Sequence, residues 1–324
     1  MRTIPIPLVF LPGTFSVCGW LEMVDSIQIL PEEDLPALHN AANAASLRAG
    51  KSYLFLFGSV LILTMIGAFL SAVSVTTSEN KSLKALLTGI AFFVGFILTS
   101  TLRAKKHERE WYGGRAIAES VKTLTWRFMC RAEPYSGELA PKAVDEAFLS
   151  SLNDILSQRK SLFAALNGEL GNGPQITNRM REVRSWDTEH RREFYVNARI
   201  ENQRGWYSDK AKANRRKEDI WFAVIMIAQV GAAVSALLLV YSPDSRLNLT
   251  GSFSMIATAA LAWLQVKRHQ ELAQSYNVTA QELGLIAAKA GHIAKDDQLS
   301  AFVADAENAI SREHTLWIAR RDNP

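Results

Sequence analysis

Two pairs of long apolar runs constrain this chain more than any other feature. The first pair covers residues 53–75 and 83–102, and the second covers residues 220–241 and 250–266. A helix of about 20 residues crosses the hydrocarbon core of a bilayer and satisfies its own backbone hydrogen bonds there. We therefore predict two transmembrane helical hairpins.

Basic residues flank these runs unevenly, with thirteen on the side of the termini and middle segment and three in or beside the connecting loops. By the positive-inside rule, this bias places both termini and the middle segment in the cytoplasm. It also favours a fourth span, the weakest of the four by composition. The thirteen are Arg48, Lys51, Arg103, Lys105, Lys106, Arg109, Lys210, Lys212, Arg215, Arg216, Lys217, Lys267 and Arg268, and the three are Lys81, Lys84 and Arg246.

Charge and cysteine content exclude several classes of protein. The 324 residues carry a formal net charge of +4 and two cysteines, Cys18 and Cys130. Two such distant cysteines build neither a disulfide framework nor a zinc site. Because the basic residues cluster beside the apolar runs, where anionic lipid heads attract them, we expect membrane lipid and not nucleic acid as the partner.

Residues 1–29 are predicted to be an N-terminal extension. Three prolines among the first twelve residues interrupt any helical signal-peptide core. A dispensable extension, or translation that starts at Met23 instead of Met1, is favoured over an interfacial peptide. A cleaved signal is the least favoured alternative.

The segments beside the runs have helical patterns. Apolar residues recur at spacings of three and four after residue 107, so the second span is predicted to continue as a long rod. Gly113 and Gly114 within this rod indicate either a close helix crossing or a bend. Residues 176–218 are predicted to form one long polar helix that leads into the third span, and residues 299–319 form a final amphipathic helix.

The two hairpins form an internal repeat. Tyr53 and Trp221 open the first and third runs, while His107 and His269 follow the second and fourth. Since both hairpins point the same way, we predict a parallel repeat. The predicted domains are the extension at 1–29, a first unit at 30–135, a helical connector at 136–175 and a second unit at 176–324.

Residues 111–135, WYGGRAIAESVKTLTWRFMCRAEPY, resemble the SLATT family of two-transmembrane effector domains that associate with SMODS nucleotidyltransferases and SLOG sensors. A second aromatic pair before the third run resembles the start of another SLATT unit. This second unit departs from the pattern, because residues 274–276 stand where its own aromatic pair would follow the fourth run. The matched positions are Trp111, Tyr112, Arg115, Glu119, Lys122 and Trp126, and the second pair is Trp206 and Tyr207.

The resemblance implies a bacterial inner-membrane effector of a conflict or anti-phage system, triggered by a nucleotide second messenger or a cytoplasmic sensor protein. It brings no catalytic residues and no cofactor, so we do not expect an enzyme. We predict an all-α membrane protein with two tandem hairpins and long cytoplasmic helices in a bundle, which forms pores or perturbs the membrane as a homo-oligomer. The alternative is a membrane-anchored scaffold that recruits a sensor without forming a pore.

Polar residues inside the runs are candidates for pore lining or for hydrogen bonds between helices. They are Gln229, Thr88, Thr258 and Gln265. No charge lies at the centre of any run, so no ion pathway is evident.

The remaining polar residues match no catalytic pattern. The six histidines are scattered on polar segments, and no metal-binding or phosphate-loop motif occurs. Glu108, Arg109, Arg115 and Glu119 suggest an ionic network in preference to a nucleotide-phosphate site.

Overall fold

The computed structural model describes residues 30–73, 78–158, 173–243, 245 and 248–322. These ranges are almost entirely helical and contain no strand, so the predicted all-α class is confirmed. The α-helices are α1 (Ala37–Ala72), α2 (Ser78–Lys105), α3 (His107–Met129), α4 (Pro141–Gln158), α5 (Asn178–Ser185), α6 (Thr188–Tyr195), α7 (Asn202–Tyr241), α8 (Thr250–Lys267), α9 (His269–Lys289) and α10 (Asp296–Asp322). The predicted extension at 1–29 lies outside the described residues.

In the first hairpin, α2 and α3 return along α1, whose 36 residues extend about 54 Å. Gly67 of α1 faces Phe92 of α2 so closely that a Cβ at Gly67 would lie 2.8 Å from the ring. The sequence predicts that the second span continues as one long helical rod. The structure has helix on both sides, but the span and the rod are separate helices, α2 and α3. Lys106, with φ of 44° and ψ of 32°, separates them.

The second hairpin repeats this construction. α8 and α9 return along α7, whose 40 residues extend about 60 Å. Gly231 faces Phe253 as Gly67 faces Phe92, with a Cβ position 3.0 Å from the ring. Arg268, with φ of 46° and ψ of 42°, separates α8 from α9. The left-handed conformation is costly for residues other than glycine, so its recurrence just before His107 and His269 supports the repeat.

The prediction of one polar helix over 176–218 is wrong. Instead, α5, α6 and a π-helix at Val196–Glu201 precede α7. The break falls at Asp187, whose carboxylate accepts a hydrogen bond from the backbone N–H of His190 at 2.9 Å and caps α6. Trp186, just before this cap, turns onto Phe194, with ring centroids 5.4 Å apart.

The apolar parts of α1, α2, α7 and α8 form the apolar layer, in the order α2, α1, α8, α7. Trp263 of α8 lies between Phe57 of α1 and Trp221 of α7, at 6.4 and 6.2 Å between ring centroids. By length and composition, three of the described helical segments could cross a membrane; they contain α1, α2 and α7. The weakest predicted span, α8, is not among them. α8 packs between α1 and α7, and three of its four buried residues are alanines.

Beside the apolar layer, α3 to α6, the π-helix, α9 and α10 form the bundle. Its hydrophobic core draws on both halves of the chain, including Trp126, Phe148, Phe194 and Val303. Burial of each such side chain contributes about 1.5–3 kcal/mol to folding. The two halves therefore share one core outside the apolar layer.

Candidate coupling site between the hairpins and the bundle

Aromatic side chains pack between the helices at the base of each hairpin, the end where the hairpin meets the bundle. In the first hairpin, Trp111 of α3 stacks on Tyr112 at 4.8 Å and packs against Tyr53 of α1 at 6.2 Å between ring centroids. In the second, Trp206 and Tyr207 of α7 pack against Tyr276 of α9 at 5.5 and 5.4 Å. The aromatic pair thus lies on the returning arm in one hairpin and on the outgoing arm in the other.

Glycine and serine let α1 and α3 approach closely at this base. A Cβ at Gly114 would lie 3.0 Å from the carbonyl oxygen of Ala42. The Ser46 hydroxyl donates a hydrogen bond to the carbonyl oxygen of Trp111 at 2.7 Å, and a Cβ at Gly50 would lie 2.9 Å from the Trp111 ring. Of the two alternatives for the glycine pair, the close crossing holds at Gly114.

A buried ion pair lies deeper in the bundle, where the two halves of the chain meet. The Nε and Nη2 atoms of Arg199 both donate to Glu307, each at 2.8 Å. Glu307 also accepts hydrogen bonds from the hydroxyls of Tyr195 at 3.0 Å and Thr123 at 2.7 Å. Glu307 is fully buried and Arg199 is 1% exposed. We call Arg199, Glu307, Tyr195 and Thr123 the junction network, because it joins α3, the π-helix region and α10.

The junction network extends toward the predicted signature positions of α3. Arg115 and Glu119, two of the four residues of the predicted ionic network, form an ion pair at 2.8 Å, one turn apart. Burial lowers the pKa of Lys122, and Arg199 lowers it further, although Glu119 raises it. Burial also raises the pKa of the Tyr195 hydroxyl well above its ordinary value, and Glu307 adds to this effect. Tyr195 is therefore a stable hydrogen-bond donor at neutral pH.

Sequence reasoning missed Arg199 and Glu307. One signal for Glu307 was present, since it falls among the apolar residues Val303, Ala306 and Ile310 of the final amphipathic helix. A charge in an apolar stripe points to a buried partner. Arg199 has no such signal. It is buried within the π-helix, a local widening that is frequent at functional sites and leaves no periodic pattern in the sequence.

The other signature residues contribute to packing. Trp126 is 1% exposed and lies 5.6 Å from both Phe194 and Tyr195 between ring centroids. Its indole nitrogen is buried without a partner among the described residues. Tyr207 is buried, whereas Trp206 is partly exposed.

The structure places the four polar candidates of the apolar runs apart from one another. Thr88 on α2 and Thr258 on α8 donate to carbonyl oxygens of their own helices, those of Lys84 and Ser254, at 2.9 Å each. Gln229 on α7 and Gln265 on α8 are exposed, and within the described parts of this chain their amides have no hydrogen-bond partner. Thr258 is exposed as well.

Both halves of the chain match known protein families. Residues 36–192 match the family described as SMODS and SLOG-associating 2TM effector domain 3, and residues 195–317 match SMODS and SLOG-associating 2TM effector domain 1. The chain belongs to the SLATT family. It carries two SLATT units in tandem, as the resemblance predicted. Comparison with curated proteins and with solved structures found no match.

SLATT units are two-transmembrane effector domains associated with conflict systems, so this chain is a membrane effector protein. The two SLATT matches meet between residues 192 and 195, at the end of α6 and just before the π-helix, whereas sequence reasoning placed the second unit from residue 176. In these terms, the junction network joins Thr123 of the first SLATT unit to Tyr195, Arg199 and Glu307 of the second. The bundle core therefore couples the two SLATT units.

Proposed function

We propose that this tandem SLATT protein is a pore-forming effector of a bacterial conflict system, and that its copies assemble head to tail. The trigger in this proposal is a cytoplasmic nucleotide signal or a sensor protein. The location is the inner membrane, with the bundle and both termini in the cytoplasm. The observation that carries the proposal is that the four helices of the apolar layer form an open row, with α2 and α7 at its two ends.

The first and second SLATT units meet through unlike helices. The outgoing arm of the first unit, α1, contacts the returning arm of the second, α8. A Cβ at Gly58 would lie 3.5 Å from the ring of Trp263 at this contact. The equivalent pair, α7 and α2, lies at the two ends of the row and is not among the extensively packed helix pairs of the described residues.

A contact between two different surfaces of repeated units is a heterologous interface. It leaves one of these surfaces free at each end of the row, so further copies can bind there and form a ring or a filament. The glycine–phenylalanine contacts equate Gly67 with Gly231 and Phe92 with Phe253. By the offsets of these contacts, 164 residues from α1 to α7 and 161 from α2 to α8, Gly58 corresponds to Phe222 and Trp263 to Leu102. The left-handed residues Lys106 and Arg268 give an offset of 162 for α2 and α8, one residue different. We therefore expect α7 of one copy to pack on α2 of the next through Phe222 and Leu102.

A polar stripe on α8 favours a ring that encloses water. Ser254, Thr258, Leu261 and Gln265 are all exposed at spacings of three and four, so they share one face of α8. Polar side chains that face lipid are unfavourable unless they find a partner or water. Four helices in a row enclose no channel, whereas a ring of such rows provides a lumen for the α8 stripe.

Cysteine cross-linking in membranes tests the assembly. Phe222→Cys combined with Leu102→Cys is expected to form disulfide-linked dimers and larger species on mild oxidation. Phe222 is 60% exposed in one chain, which leaves it accessible to a second copy. The control is Ile227→Cys with Leu102→Cys, because Ile227 is 71% exposed on a different face of α7. Equal cross-linking by both pairs, or none by the first, contradicts the head-to-tail contact.

Leucine substitutions in the α8 stripe test the pore. Thr258→Leu with Gln265→Leu is expected to abolish dye entry and depolarisation in expressing cells, while the Phe222–Leu102 cross-link persists. Leu261→Ile is the matched control on the same face and should leave both readouts unchanged. If the stripe variant acts like the unmodified chain, the spans serve as anchors and the scaffold alternative is favoured. Gln229→Leu and Thr88→Val extend the test to α7 and α2.

A further inference from the structure

A cavity of about 360 Å³ opens in the bundle at the end of α3 farthest from the apolar layer. Its walls come from the end of α3, the turn that follows it, the start of α4 and the end of α5. Three of its lining side chains are arginines, Arg131, Arg181 and Arg184, whereas Asp145 is the single carboxylate among them. We call this cavity the arginine pocket.

The positive charge of the arginine pocket is held in a fixed geometry. Arg184 donates hydrogen bonds to the carbonyl oxygens of Phe128, Tyr135 and Ser136 at 2.7–3.0 Å. Arg131 donates from Nε to the carbonyl oxygen of Arg184 at 2.9 Å. Neutral carbonyl groups anchor these side chains without cancelling their charge.

Two carboxylates near the pocket compensate only part of this charge. Asp145 accepts two hydrogen bonds from Arg181, at 3.1 and 2.8 Å. Asp296 pairs mainly with Arg191 at 2.6 Å and lies 3.8 Å from Arg131. Four arginines thus face two carboxylates. Burial lowers the pKa of Arg184 to about 10, and the charges of Arg131 and Arg191 contribute to this shift.

We propose that the arginine pocket binds a small, soluble phosphorylated ligand of up to nucleotide size, whose phosphate contacts Arg131 and Arg181. Planar guanidinium groups match phosphate oxygens with paired hydrogen bonds. Pro141, the first residue of α4, lines the pocket, so the positive end of an 18-residue helix lies beside the phosphate position. The volume lies within the range of small-molecule sites.

The position of the pocket favours a soluble ligand over a lipid headgroup. α3 begins next to the apolar layer, and its 23 residues place the pocket about 35 Å along the helix axis from that layer. Arg181 supplies an adjustable contact, since it is 51% exposed and pairs with Asp145 near the surface. An incoming phosphate competes with Asp145 for Arg181.

Binding by the full-length chain in detergent tests the proposal directly, with inorganic phosphate, pyrophosphate and ATP as calorimetric probes. Arg181→Gln should weaken binding of at least one probe about tenfold, as expected for loss of a charged hydrogen-bonding group. Asp145→Asn should tighten the binding of that probe, because it removes the competing carboxylate. Lys142→Gln is the control, since Lys142 is 91% exposed and does not line the pocket.

Three outcomes would overturn the proposal. The unmodified chain could bind none of the probes, or Arg181→Gln and Asp145→Asn could leave their affinities unchanged. Native mass spectrometry could instead detect a co-purified phospholipid that Arg181→Gln removes, which would assign the pocket to a lipid headgroup. These readouts measure binding alone, so they are independent of pore formation.

A regulatory role for this ligand rests on the proposed function. If the phosphorylated ligand is the trigger, Asp145→Asn should permeabilise membranes at lower ligand concentrations than the unmodified chain. A ligand that binds but leaves permeability unchanged would retain the site and remove its role as the trigger.

Discussion

The two hairpins share one construction but differ in which helix is enclosed. In the first, the outgoing helix α1 lies inside the row, and the returning helix α2 exposes residues such as Phe93 and Phe96. In the second, the returning helix α8 lies inside and buries Ala257 and Ala260. Equivalent helices of a repeat thus occupy different environments, and their composition follows the environment. Three of the four buried residues of α8 are alanines, whose small side chains suit its position between two helices.

The bases of the two hairpins differ in how closely their helix backbones approach each other. Trp111 closes the first base over Gly50, and Gly114 lies against Ala42. At the second base, nothing lies within 4 Å of a Cβ placed at Gly205, beside Trp206. Close approach of backbones therefore matters in the first hairpin, whereas side-chain stacking dominates in the second.

The largest expected loss of stability comes from the junction network, which joins the two SLATT units. Glu307→Ala leaves Arg199 buried without its carboxylate and should destabilise the folded chain by about 3–5 kcal/mol. Chemical denaturation of the chain in detergent measures this loss. Glu189→Ala is the control, because Glu189 is 72% exposed and pairs only with a neighbour on its own helix.

A double substitution separates the charge from the packing at the same position. Glu307→Leu combined with Arg199→Met should recover much of the lost stability, since well-packed apolar replacements of buried ion pairs are often neutral or stabilising. If the double variant is as unstable as Glu307→Ala, the network acts through shape and hydrogen bonds instead of compensated charge.

Glycine substitutions sharpen the contrast between the two bases. Gly114→Ala should destabilise the chain by about 1–3 kcal/mol, because its Cβ would meet backbone atoms of α1. Gly205→Ala should stabilise it by about 0.5–1 kcal/mol, since alanine is the better helix former and the space is open. Thermal unfolding of both variants in the same detergent gives the comparison, and shifts of the same sign would contradict it.

The glycine–phenylalanine contact that both hairpins share tests how similar they are. Gly67→Ala and Gly231→Ala should each lower stability by about 1 kcal/mol or more, because both alanines would press on a phenylalanine ring. Gly89→Ala and Gly251→Ala are matched controls, one in each hairpin, with nothing within 4 Å of the added Cβ. Unequal losses at Gly67 and Gly231 would show that the two contacts are not equivalent.

The last expected effect is an acid sensitivity of the second hairpin. Burial lowers the pKa of His269 to about 4, with contributions from Lys267 and Lys217. The unfolded chain takes up a proton at about pH 6.5 and the folded chain does not, so stability falls as the pH drops from about 6.5 toward 4. His269→Asn should reduce this loss in the unfolding midpoint between pH 7 and pH 5.

The exposed His190 provides the control for this titration. Its hydrogen bond to Asp187 raises the pKa of His190, so its contribution is present at low pH and is lost as the pH rises. His190→Gln should therefore not reduce the acid sensitivity. An acid response that persists in full in His269→Asn contradicts the assignment to His269.

Periodicity and hydropathy predicted most of the helices but not their interruptions. The apolar runs, the long α1 and the final helix were readable because each repeats a strong pattern over many residues. The breaks at Asp187, Lys106 and Arg268 were not, since a single capping side chain or a single left-handed residue leaves almost no periodic signal. The same holds for Arg199, which is buried within the π-helix.

The sequence by itself determined the class of this protein. Runs of about 20 apolar residues have few folded alternatives to membrane helices, and the aromatic motif at Trp111 identified the SLATT family. Only the tertiary structure decided which helices lie inside the row, which glycines face a neighbour and how Glu307 meets Arg199. These features depend on contacts between residues far apart in the chain, and such contacts form only once both SLATT units pack around one core.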